Sequence, residues 1–168
     1  MLSEQLTALI PEGFSDLSKV WVFQSSRAFI EKEQKEINEQ LYHFYAQWVS
    51  HGAPVKGWAK VVFNQFIVVI ADDTTDRICG SATDAMMRLM KSLEKQYEVN
   101  LFDRLMITFL VKDKPEMLPF NQVGYALEKG YINESTLLFN NSAVTNKKQL
   151  FESWLIPLKE SWLGERVL

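Results

Sequence analysis

The alternation of apolar and polar positions divides this chain into short, separable elements. Ser3 to Ile10 has the spacing of a short helix, stopped by Pro11 and Gly13. Val20-Trp21-Val22-Phe23 is a compact β-type run that leads into the polar Gln24-Ser25-Ser26-Arg27. From about Glu31 to Val49, Ile37, Leu41, Phe44, Tyr45 and Trp48 recur at helical spacing behind a charged first turn and a half. Acids there suit the positive end of the helix dipole, and His51-Gly52-Ala53-Pro54 supplies the stop. Val55 to Phe63 and Phe66 to Ala71 are two β-type runs joined across Asn64-Gln65, which predicts a hairpin. Lys56 and Lys60 mark the first as an edge strand. The second is apolar at every position, as a strand covered on both faces must be.

A helix capped by Ser81 or Thr83 follows and reaches about Tyr97, with Met86, Leu89, Met90 and Leu93 on its inner face. Leu105 to Val111 is a further strand, closed by Lys112-Asp113-Lys114-Pro115. The remaining third predicts a helix from about Phe120 to Lys129, a strand at Thr136 to Phe139, and a last helix from about Asn146 to Leu163. Pro157 should kink or split that last helix.

The order strand, helix, strand, strand, helix, strand predicts an α+β fold with a ferredoxin-like βαββαβ antiparallel sheet core and a C-terminal helical extension. No repeat or Gly/Ser/Pro-rich linker interrupts residues 1–168, so they read as a single domain, its core at about 18–114 and its extension at about 115–168. In this topology Asp72, Asp73, the Cys79 to Asp84 segment, the His51 turn and Lys112 to Lys114 share one end of the sheet. Gln24 to Arg27 and Asn64-Gln65 share the other.

Composition narrows the function classes. A length of 168 residues with 47% apolar and 23% charged residues suits one globular core, and 12% aromatics predicts a core of large rings. A net charge of -3 gives no basic excess for a phosphate backbone, so nucleic acid is not an expected partner. One cysteine and two histidines exclude an internal disulfide and a zinc knuckle, and no metal or cofactor is expected. The start of the chain lacks a signal-peptide pattern, and no stretch approaches the roughly 18 apolar residues of a membrane span. The expectation is a soluble cytoplasmic protein with no membrane partner.

The sharpest chemical feature is Cys79, placed just ahead of a helix N-terminus where free amides stabilise a thiolate. Arg77 and His51 would push the same way, and Asp72 could orient the histidine in a Cys/His/Asp arrangement. Asp73, Ser81, Thr83 and Asp84 complete a candidate ligand-binding loop. The plainer alternative is a small cysteine packing that loop. Asp72, Asp73, Asp76 and Asp84 are also a candidate oxygen set for a divalent cation, but they match no EF-hand spacing and serve equally well as turn formers and first-turn acids. Arg27 with Ser25 and Ser26 is a candidate anion site or a simple helix cap.

Trp154 and Trp162, on the expected last helix, point to a homodimer or protein partner, or else to a cover for the open face of the sheet. Two function classes follow. One is a non-catalytic binding or interaction domain. The other is a thiol-dependent enzyme or redox sensor using Cys79.

Trp21-Val22-Phe23-Gln24-Ser25-Ser26-Arg27, Trp48-Val49-Ser50-His51-Gly52, the Cys79 loop and Leu101-Phe102-Asp103-Arg104 resemble a family of small bacterial proteins of uncharacterised activity that carry the label "ABC transporter ATPase". The resemblance covers nearly the whole chain and implies no activity or catalytic residue. The label itself conflicts with the chain. No GxxxxGK[ST] segment is present, so neither glycine amides nor a lysine are placed to wrap phosphates.

Overall fold

The computed structural model describes residues 2–74 and 77–168. In chain order the helices and strands are α1 (Leu2–Leu9), β1 (Lys19–Gln24), α2 (Glu31–Ala46), β2 (Val49–Ser50), β3 (Ala53–Pro54), β4 (Lys56–Val62) and β5 (Phe66–Asp72). They continue as α3 (Gly80–Tyr97), β6 (Met106–Val111), β7 (Lys114–Pro119), α4 (Val123–Glu128), β8 (Leu137–Phe139), α5 (Lys147–Glu152), β9 (Leu155–Pro157) and α6 (Gly164–Val167). Helices and antiparallel strands are mixed, so the fold is α+β.

The central element is β5. It lies between β1 and β4 in an antiparallel sheet ordered β1-β5-β4, with Trp21 opposite Val69 and Ala59 opposite Val69 from the other side. Phe66 to Ala71 are each at most 1% exposed because side chains from both faces meet cover. Ile67, Val69 and Ala71 pack under α2 and α3 with Ile37, Leu41, Met86, Met90 and Leu93. Phe66, Val68 and Ile70 pack under the N- and C-terminal segments with Leu6, Phe139, Leu150 and Trp154. Burying a side chain of this size stabilises by about 1.5–3 kcal/mol, so β5 anchors both layers.

With the short β2–β3 hairpin inserted after α2, the first five expected elements follow in order as β1, α2, β4, β5 and α3, but the sixth pairs differently. Among the described residues, β6 pairs with β7 and β8 in a second antiparallel sheet, ordered β7-β6-β8-β9, and not with β1. Side chains bridge the two sheets instead. The Gln24 amide donates to the Met106 carbonyl at 3.0 Å and its oxygen accepts from Thr108 Oγ1 at 2.6 Å. Asn141 Nδ2 donates to the same oxygen at 3.1 Å.

The C-terminal third corrects two expectations. No single helix runs from Asn146 to Leu163. The helix α5, with Asn146 as an N-cap accepting from the Gln149 amide at 2.8 Å, ends at Glu152 and gives way to β9. Pro157 cannot donate to a ladder and closes β9, which is tolerated because β9 is an edge strand. The extension therefore contains sheet as well as helix. Lys114 and Pro115 pair back onto Val111 and Leu110 through the Lys112-Asp113 turn. At the other helix, α2 stops at Ala46, three residues short of Val49, because Val49 and Ser50 pair with Ala53 and Pro54.

The two ends of the first sheet hold much of what the topology placed there. Ser25 N–H donates to the Gln65 carbonyl at 2.8 Å and Phe29 N–H to the Asn64 carbonyl at 2.7 Å, which joins the β1–α2 and β4–β5 turns. The β2–β3 hairpin meets the head of α3 at the opposite end.

Candidate functional site

The site is built where the β2–β3 hairpin touches the first turn of α3. His51 and Gly52 form its two-residue turn with φ of 53° and 76°, the left-handed pair that a tight hairpin of this twist requires. Glycine meets that demand without strain at the second position. Trp48, immediately before β2, fixes the hairpin to the helix. Its indole Nε1 donates to the Ala82 carbonyl at 2.9 Å, and its ring packs against Phe44 and Trp21. The close approach depends on Gly57, where a Cβ would stand 2.8 Å from the Trp48 ring.

Cys79 is the N-cap residue of α3, extended at φ -74° and ψ 164°, and half-buried. Its backbone N–H donates to Ser50 Oγ at 2.9 Å. That hydroxyl has one proton and two acceptors near it, the Cys79 sulfur and the Arg77 carbonyl, the latter at a marginal 3.5 Å. Cys79 Sγ lies 3.2 Å from Ser81 Oγ. The amides of Ala82 and His51 add their positive ends to the field at the sulfur, although Cys79 closes no N-cap hydrogen bond. With Ser50 the strongest influence, then Ser81 and the two amides, the thiol is lowered to about 6. All four groups favour the charged form, because a thiolate accepts several hydrogen bonds and a neutral thiol accepts them poorly.

The other candidate residues take different places. His51 is exposed, and it is the backbone amide of this residue that acts at the sulfur. Asp72 Oδ1 accepts from Thr74 N–H at 3.0 Å and Thr74 Oγ1 at 2.6 Å. These bonds, with Lys56 opposite on β4, hold the Asp72 carboxyl below its usual range. Asp72 is thus a turn former. Thr83 Oγ1 donates to the Cys79 carbonyl at 3.3 Å, inside the first turn. Asp73 is half-buried, while Ser81, Asp84 and the Arg77 side chain are exposed. Among the described residues no three His, Cys, Asp or Glu side chains gather as a metal site, and Asp76 lies outside them.

Arg27 is engaged rather than open to an anion. Its two terminal nitrogens each donate to a Glu33 oxygen at 2.8 Å, and one also donates to the Tyr97 carbonyl at 2.8 Å. The guanidinium in turn lowers Glu33 to about 2.

Sequence reasoning missed Ser50. It sits one residue before the histidine that drew attention, and a serine in a turn carries no signal of its own. A shallow groove of ≈ 350 Å³ lies between the end of α2 and the first turn of α3, with Phe44, Trp48, Ser81 and Ala82 in its walls and Cys79 outside them. A larger open depression of ≈ 910 Å³ runs along the flank of α2 beside Lys60 and does not include Cys79.

The two tryptophans separate. Trp154 is fully buried against Phe66 and Phe139, and its Nε1 donates to Asn141 Oδ1 at 2.7 Å. It is core and cannot be a docking residue. Trp162 is 40% exposed and stacks on Phe120 at 6.1 Å with the rings 4° from parallel. Phe120 N–H donates to the carbonyl of Leu105, itself 68% exposed. No helix among the described residues is long and apolar enough to cross a membrane.

Comparison with protein-family models, with curated proteins and with solved structures gave no match.

Proposed function

We propose that this protein works through Cys79 as a redox-responsive thiolate that exchanges with disulfides from solution. The observation that carries this reading is convergence. Ser81 Oγ from α3 lies 3.2 Å from the half-buried Cys79 sulfur, Ser50 Oγ from β2 takes the Cys79 N–H at 2.9 Å, and these hydroxyls with the His51 and Ala82 amides all favour the thiolate. The likeness to the bacterial family noted above supplies no activity, so the reading rests on geometry.

In the step itself, Cys79 Sγ attacks one sulfur of a disulfide R–S–S–R. That S–S bond breaks, a new one joins Cys79 to R–S, and the other half leaves as RS⁻, which takes its proton from water. No general base is required when the thiol is already ionised near neutrality, and this removes the need for the His51 imidazole. The chain has no second cysteine to resolve the adduct, so an incoming thiol must release it. A single thiolate of this kind fits a switch better than a turning-over oxidoreductase. It also fits a reducing compartment such as the cytoplasm, where free thiols persist.

The test is iodoacetamide labelling of the native protein against pH, with Cys79→Ser as the blank. The expected midpoint is about 6, and oxidised glutathione at neutral pH should leave one glutathionyl group per chain. A midpoint at the ordinary ~8.5, or labelling only on unfolding, overturns the proposal.

A second reading, the non-catalytic interaction module, is favoured by the exposed face of Trp162 stacked on Phe120. The partner to which it commits is a second copy of the chain, meeting through the same face on both sides. Light scattering over a concentration series decides it. A mass that doubles in the native protein but not in Trp162→Ala supports the dimer, and a monomer at every concentration removes it.

A further inference from the structure

We draw no further inference here: the strongest candidate, the groove between the end of α2 and the first turn of α3, belongs to the Cys79 site already described, and neither of the buried polar atoms without a partner, Ser18 Oγ and Asn140 Oδ1, is on a residue that lines it.

Discussion

Gln24 and Cys79 occupy opposite ends of the β1–β5–β4 sheet, and each is the centre of a polar cluster. Around Gln24, donors and acceptors balance. Its amide donates to Met106, its oxygen accepts from Thr108 and Asn141, and Asn141 accepts in turn from Trp154. Thr108 and Trp154 are fully buried, and Gln24 is nearly so. A matched, dehydrated network of that kind fixes how two sheets sit together. Around Cys79 the count does not balance. The Ser50 and Ser81 hydroxyls and the His51 and Ala82 amides all favour a charged sulfur, only Ser81 Oγ closes to 3.2 Å, and the site stays open to solvent. Matched groups in the interior hold the fold. A surplus of donors at a half-buried atom stabilises an anion, which is a chemical property.

The largest way to test that division is Trp154→Ala. Removing a fully buried indole should cost about 3–5 kcal/mol in urea unfolding, and also strand the Asn141 oxygen. The labelling midpoint of Cys79 should not move. If it shifts along with stability, the two clusters are coupled and the comparison fails.

Gln24→Leu probes the same end more gently. It keeps the bulk but leaves the Met106 carbonyl, Thr108 and Asn141 without their partner, which should cost about 1–3 kcal/mol. Loss of less than a few tenths in thermal or urea unfolding would mean that the sheets are held by apolar packing alone.

At the other end, Ser50→Ala should reverse the pattern. Stability should fall by about 1 kcal/mol as the Cys79 amide loses its acceptor, while the labelling midpoint climbs from about 6 toward the ordinary thiol range. A variant that weakens the fold with no change in midpoint would assign Ser50 a structural role only.

The same contrast explains what the sequence disclosed. Apolar runs and helical periods are long-range signals, so β5, α2 and α3 were legible from residue order. So was the placement of Cys79 at a helix N-terminus. The C-terminal third misled because Leu150, Phe151, Trp154, Leu155 and Leu158 fit a helical period although α5 holds only the first two, β9 holds Leu155, and Trp154 and Leu158 lie outside both. An apolar run of four ending in proline reads equally well as a kinked helix or a short strand. β7 was hidden by Pro115 and Pro119, which argue against a strand unless it is known to be an edge. The departure of β6 from β1 leaves Gln24 bonded to Met106 and Thr108 across the two sheets, a long-range contact that no local pattern encodes. At the site, residue type suggested His51 and Asp72. The fold instead uses a serine hydroxyl and main-chain amides, whose positions depend on the hairpin turn.

The smallest effect concerns the dependence of stability on pH. The Cys79 thiol is depressed in the folded protein to about 6, against ~8.5 for an unperturbed thiol. Between those values the unfolded chain holds a proton that the folded chain has released, so stability must rise with pH there. The contribution is fully present above the unfolded value and is lost as pH falls through the folded one. Cys79→Ser has no ionisable group at this position and lacks this contribution. The stability difference between native protein and Cys79→Ser should therefore be flat below about pH 6, grow steadily in favour of the native protein toward pH ~8.5, and level off beyond it. A difference that stays constant across the interval would show that the donors at Cys79 do not hold a thiolate. The cluster would then be no different in kind from the one around Gln24.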